Sequence, residues 1–108
     1  MKIDSKVALV TGASRGIGRG IAEALGAAGV SVAVNYRSGA AEAAAVVASI
    51  RSSGQDAFAI QADVAEEDAV ARMVEAVQDR FGRIDVLVCN AGILTQSHLA
   101  QMPTAMPR

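Results

Sequence analysis

Eight consecutive residues carry the clearest chemical message of this 108-residue chain: Thr11-Gly12-Ala13-Ser14-Arg15-Gly16-Ile17-Gly18. They follow a short apolar run, Val7-Ala8-Leu9-Val10, and lead into a segment where Ile17, Ile21, Leu25 and Ala28 recur at helical spacing. A strand-to-helix turn of this kind aims backbone N–H groups past the helix N-terminus, and glycines keep side chains out of the way. The ligand that exploits such a seat is a phosphate, above all the pyrophosphate of a dinucleotide. On this reading Gly12 makes the turn out of the strand, Gly16 admits the phosphates and Gly18 lets the helix pack on the sheet. The spacing differs from G-x-G-x-x-G, but the physical requirements are shared. Taken alone, these glycines have a plainer reading as tight-turn formers.

Other polar residues fall at matching places. Asp63-Val64 and Asn90-Ala91-Gly92 each follow an apolar run, as does Asn35-Tyr36-Arg37-Ser38. Asp63 also reads as part of a capping sequence, Asp-Val-Ala-Glu, and Asn90 as an amide tying neighbouring strands together. Cys89 is expected to be a small buried hydrophobe, since no basic group in sequence stands ready to make it a thiolate. His98 stands alone, without a metal-ligand partner, so no metal site is expected.

The elements that must hold these residues alternate regularly. Val7-Ala8-Leu9-Val10, Val30 to Val34, Ala57-Phe58-Ala59-Ile60 and Ile84 to Val88 read as strands. Between them lie three helical stretches. The second carries Ala43, Val46, Val47 and Ile50 on one face; the third carries Val70, Val74, Val77 and Phe81 behind an acidic start at Glu66, Glu67 and Asp68. Gly29, Gly54 and Gly82 stand where each helix should turn back. Strands joined by crossover helices run parallel, so a doubly wound α/β sheet is predicted. After Gly92 the pattern stops, and residues 93–108 read as an irregular tail following an incomplete nucleotide-binding domain over residues 1–92.

Composition narrows the function classes. The length suits one small domain. Ten Lys and Arg against 11 Asp and Glu leave a net charge of -1, which gives no electrostatic case for nucleic acid or an anionic membrane. A single cysteine excludes an internal disulfide and suits a reducing cytoplasm. Met1-Lys2-Ile3-Asp4 does not read as a secretory leader. The stretch from Val86 to Pro107 lacks charge but is too polar to span a membrane. Aromatics make up only 3%, so the core must be built from Val, Ile and Leu on a closely approached backbone.

With T-G-x-x-x-G-x-G, Asp63-Val64 and Asn90-Ala91-Gly92 in this order, the chain resembles the short-chain dehydrogenase/reductase family, from about Lys6 to Pro103. The resemblance is closest to its 3-oxoacyl-carrier-protein reductase-like members. It implies a Rossmann-type sheet of strand order 3-2-1-4, truncated after the fourth strand. It also implies that Gly12, Ser14, Arg15, Ile17 and Gly18 hold the pyrophosphate and adenosine ribose. Asp63 and Val64 would meet the adenine, and Asn90, Ala91 and Gly92 would run beneath the nicotinamide-side ribose. The family usually has an asparagine where this chain has Cys89. NAD-dependent members commonly place an acid after the second strand, whereas Arg37 and Ser38 stand here. With Arg15 approaching from the other side, NADP(H) is expected over NAD(H).

The family's acid–base residues, a Ser and a Tyr-x-x-x-Lys pair, have no counterpart in this sequence. Its one tyrosine is Tyr36, at the adenosine end, and its lysines are Lys2 and Lys6. No catalytic residue is therefore assigned, and the chain alone is expected to be inactive. The leading reading is the cofactor-binding portion of an enzyme reducing a ketone or 3-oxoacyl group. The alternatives are a non-catalytic dinucleotide-binding or interaction module, and a different nucleotide or S-adenosylmethionine binder. An apolar fourth strand left at the sheet edge is expected to cause self-association or marginal stability.

Overall fold

Each residue of Val7-Ala8-Leu9-Val10 is buried, because strand β1 (Val7–Val10) is covered on both faces. Val7 and Leu9 point into one apolar cluster, with Ala33, Val70, Met73, Val74 and Val77; Ala8 and Val10 point into another, with Val32, Val34, Val46 and Ile50. The structure, a computed structural model, describes residues 6–90. The expectations for Met1 to Asp4, Ala91, Gly92, His98 and the 93–108 tail lie outside the described residues.

The order along the chain is β1, α1 (Gly16–Ala27), β2 (Ser31–Tyr36), α2 (Ala40–Ser52), β3 (Ala57–Gln61), α3 (Glu67–Phe81) and β4 (Val86–Val88). All three strand pairings are parallel, and the sheet order is β3-β2-β1-β4. This is the predicted Rossmann-type, doubly wound arrangement, with α1 and α2 on one face and α3 on the other. Gly29, Gly54 and Gly82 all take positive φ at the helix ends, a conformation glycine adopts without steric cost.

Three local expectations are corrected. The fully buried residues of α1 are Gly18, Ala22 and Gly26; of the expected stripe Ile21 and Leu25 pack partly buried against the core, whereas Ile17 is 77% exposed and Ala28 is exposed. Close packing selects the small residues. A Cβ on Gly26 would stand 2.7 Å from the Ile50 side chain. Second, β2 runs on to Tyr36, because Asn35 and Tyr36 pair with Ile60 and Gln61, and β4 begins only at Val86, with Ile84 and Asp85 leading into it. Third, Cys89 is exposed rather than buried: it follows β4, whose outer edge pairs with no other strand among the described residues.

The end of the sheet away from the glycine segment is held by Asp85. Its Oδ2 accepts the Val7 N–H at 2.9 Å, and its main-chain N–H donates to the Val7 carbonyl at 2.9 Å. The Arg83 guanidinium, 2.8 Å from Oδ1, donates to the carboxylate and with that backbone bond holds Asp85 below the usual carboxylate range. A lowered folded pKa contributes stability above the unfolded value of about 4 that is lost as pH falls through the folded value. Asp85→Ala leaves the buried Val7 N–H without its acceptor, a cost of about 1–3 kcal/mol at neutral pH. Denaturant melts of both chains check this, and the gap between them should shrink as pH drops below about 4.

Candidate cofactor-binding site

The carboxyl ends of the four strands open on one side, and the β1–α1 connection lies where the chain, having wound outward through β2 and β3, returns to place β4 on the other flank of β1. That is the switch point at which doubly wound sheets take ligands. The two strands flanking β1 pin the connection there. Thr11 Oγ1 donates to the Val88 carbonyl at 3.2 Å and accepts the Asn90 N–H at 2.9 Å. The Gly12 N–H donates to Asn35 Oδ1 at 3.1 Å, and the Ala13 N–H to the Asn35 carbonyl at 2.8 Å. From the β4 side, Asn90 Nδ2 donates to the Gly12 carbonyl at 3.0 Å.

The glycines divide their work differently from the sequence expectation at one position. Gly12 and Gly16 have φ of 60° and 63°, which L side chains rarely tolerate. Around Gly16 a Cβ would meet nothing within 4 Å, so this glycine leaves open space. Gly18 packs chiefly against the loop itself: a Cβ there would overlap the Gly12 carbonyl and the Asn90 side-chain amide.

The N-terminus of α1 is electrostatically free. Arg15 occupies the N-cap with extended backbone, no side chain caps the helix, and its first turn holds no acid. The other two helices carry acids there, Glu42 in α2 and Glu67 with Asp68 in α3. Amides and dipole at the start of α1 are thus left for an anion. They border a cleft of about 370 Å³ lined by Gly12, Ser14 and Arg15 from the loop, Asn35, Arg37 and Ser38 at the β2 end, Ala62 and Val64 at the β3 end, and Asn90 after β4. Ser14 is almost wholly buried, whereas Ser38 is exposed at the rim.

Arg15 and Arg37, both expected near one phosphate, do line the same cleft. Each leans on an acid. Arg37 Nε is 3.7 Å from Asp63 Oδ2, and Arg15 is 3.9 Å from Glu42 Oε2. Both guanidinium side chains are more than 60% exposed, and such surface pairs contribute about 0–1 kcal/mol, so either arginine can exchange its partner for a ligand. Asp63 is also a turn residue, its Oδ1 accepting the Ala65 N–H at 2.9 Å. Asn90 takes the strand-tying role, through Gly12 and Thr11. Burial of its surroundings pushes the Cys89 thiol up, which disfavours a thiolate. Among the described residues no group of three or more His, Cys, Asp or Glu converges to hold a metal.

Two residues given no role of their own from the sequence prove central. Thr11 and Asn35 are almost completely buried polar groups at the carboxyl ends of β1 and β2. The signal was a polar residue at the carboxyl end of an apolar run, a position where strands hand over to loops.

Comparison with known proteins agrees with this architecture. The family model for short chain dehydrogenase matches residues 6–106. The 3-oxoacyl-(acyl-carrier-protein) reductase FabG of Staphylococcus aureus is 53% identical over 98 residues, which are 91% of this chain and 40% of that protein. Versicolorin reductase stcU of Emericella nidulans is 48% identical over 98 residues, 91% of this chain and 37% of its own length. The chain therefore spans about 40% of the length of the curated relatives it matches. Among solved structures, a variant of a Serratia marcescens short-chain dehydrogenase/reductase superposes with a TM-score of 0.82 at 40% identity, over 88% of this chain and 39% of that one. A putative dehydrogenase of Burkholderia cenocepacia with bound NADP superposes with a TM-score of 0.78 at 28% identity, over 94% and 42%. A family match over nearly the whole chain, together with superposition on short-chain dehydrogenase structures, leads to one conclusion: the chain belongs to the short-chain dehydrogenase family.

Proposed function

We propose that residues 6–92 are the NADP(H)-binding portion of a reductase that converts a ketone or 3-oxoacyl group to an alcohol. One observation carries this reading: an uncapped, acid-free helix N-terminus opens beside a cleft that two arginines share. The residues fit a dinucleotide. Open space at Gly16 and the crowding at Gly18 keep the loop backbone close to the cleft. The amides from Ser14 to Gly18, at the end of the loop and the start of α1, receive the pyrophosphate and adjoining ribose, with Gly12 shaping the turn that presents them. Arg37, Ser38 and Arg15 take the 2′-phosphate through charge-assisted hydrogen bonds. Asp63 and Val64 border the adenine, and Asn90, Ala91 and Gly92 follow the nicotinamide-side ribose. When bound, the cofactor supplies a hydride to the carbonyl. Proton delivery to the resulting alkoxide has no candidate here, since Tyr36 ends β2 at the adenosine side and no Tyr-x-x-x-Lys occurs. This chain alone is accordingly proposed to bind without turning over.

The β4 side supports a further part of the reading, self-association. Val86 is 38% exposed, Leu87 and Val88 are half-buried, and their outer edge pairs with no strand among the described residues. No helix among the described residues is long and apolar enough to cross a membrane. Cytoplasmic location rests on the single cysteine, which suits a reducing compartment.

Calorimetric titration of the 108-residue chain with NADPH and NADH tests the cofactor assignment. Tighter binding of NADPH is expected. Equal affinities, or tighter NADH, would remove the NADP(H) assignment. Oxidation of NADPH by this chain with a simple ketone would overturn the non-catalytic part.

A further inference from the structure

We infer that Asn35 is a positioning residue that couples the two halves of the cofactor seat, so that glycine loop and adenine-side segment receive a dinucleotide as one unit. The inference rests on the dinucleotide reading above. Asn35 is 1% exposed, at a strand position where a β-branched apolar residue would fill the volume without polar cost. Its amide instead reaches both ways. Oδ1 accepts the Gly12 N–H at 3.1 Å, and Nδ2 donates to the carbonyls of Ile60 and Ala62, each at 3.3 Å. Its main-chain carbonyl accepts the Ala13 N–H at 2.8 Å. The first and last contacts hold the phosphate loop; the middle two hold Ile60 in β3 and Ala62, the residue immediately before Asp63-Val64.

The chemistry requires an amide. A carboxylate only accepts and an ammonium only donates, whereas a primary amide joins an N–H on one segment to carbonyls on the other while remaining neutral. Neutrality matters beside a site for a diphosphate, where a buried carboxylate would oppose the ligand. Without this amide the two segments keep only their main-chain ties to β2, Ala13 N–H to the Asn35 carbonyl and Ala62 N–H to the Tyr36 carbonyl, and their relative spacing loosens. A ligand touching one segment would scarcely register the change, while a ligand spanning both would have to align them itself.

The test compares such ligands on the 108-residue chain by calorimetry: NADPH, which spans both segments, adenine, which meets only the Asp63-Val64 side, and inorganic pyrophosphate, which meets only the glycine loop. In Asn35→Ala, NADPH affinity should fall about 10–100-fold, within the usual range of coupling between sites, while each fragment loses less than about three-fold. Asn35→Asp keeps the acceptor for Gly12 but turns an oxygen toward the two carbonyls and adds a charge that opposes a diphosphate, so it should lower NADPH affinity at least as far and, unlike Asn35→Ala, weaken pyrophosphate as well. Equal losses for all three ligands would reduce Asn35 to general structural support and overturn the inference, as would full binding by Asn35→Asp. Failure of the unaltered chain to bind NADPH would sink the dinucleotide reading itself, and the inference with it. A measurement on the unaltered chain keeps the inference testable if the variants do not fold. Saturating adenine, which meets only the Asp63-Val64 side, should slow hydrogen exchange at the Gly12 amide, which lies in the other segment; unchanged exchange there would refute the coupling.

Discussion

Gly18→Ala is expected to cost about 1–3 kcal/mol of stability from overpacking and to weaken dinucleotide binding by two orders of magnitude or more. The added methyl overlaps the Gly12 carbonyl and the Asn90 side-chain amide. Neither can retreat cheaply. The Gly12 segment is tied to Asn35 through two hydrogen bonds, and Thr11, one residue earlier, is tied to Val88 and Asn90. Relief requires breaking the Asn90–Gly12 hydrogen bond, worth about 0.5–1.5 kcal/mol, and moving the loop away from the α1 N-terminus. With a typical stability of about 5–15 kcal/mol the variant still folds, but with the phosphate amides out of position. At about 1.4 kcal/mol per tenfold, a displacement worth roughly 3 kcal/mol to the ligand accounts for the loss. Gly16→Ala is the contrast. Nothing lies within 4 Å of its new methyl, so its stability cost is the backbone strain of φ 63° alone, about 1–2 kcal/mol. Denaturant melts paired with titration of NADPH check both. Undiminished binding by Gly18→Ala would show that the loop can yield.

Arg37→Asp is expected to lower NADPH affinity by about 10–100-fold, the loss of one or two charge-assisted hydrogen bonds of about 1.5–3 kcal/mol each, with a much smaller effect on NADH. Arg37 stands 3.7 Å from Asp63 with its side chain 73% exposed, so its removal changes stability little. What changes is the sign of charge at the rim. Two carboxylates would then face the position proposed for a 2′-phosphate, whereas the hydroxyls of an unphosphorylated ribose can donate to a carboxylate. Because the site lies near the surface, the discrimination should weaken as salt rises. Equal losses for both cofactors would assign Arg37 to the loop and not to the phosphate.

The fold was legible because its strands are short apolar runs and its helices repeat at 3.6 residues, with Gly29, Gly54 and Gly82 marking the turns back. The α1 packing was not. Periodicity weights Ile17, Ile21 and Leu25, but contact of Gly26 with Ile50 of α2 and of Gly18 with the glycine loop selects small residues there, and small residues leave little trace in a hydropathy pattern. Cys89 was misjudged for a related reason: burial at a sheet edge depends on neighbours that local sequence does not display. In the site, the glycine loop announced itself through its context, a strand before and a helix after, since glycines alone also mark ordinary tight turns. The Asn35 clamp and the Arg37–Asp63 pair did not, because each joins residues far apart in the chain, and only the parallel register of β2 on β3 brings them together.

The most direct measurement is an amide-resolved NMR titration of the chain with NADPH. The largest shifts are expected at the amides from Gly12 to Gly18, with a second group at Arg37 and Ser38 that is weaker when NADH replaces NADPH. Shifts centred instead on the groove between β3 and α3 or on the Asp85 end of the sheet, or none at saturating cofactor, would contradict a diphosphate seat at the start of α1.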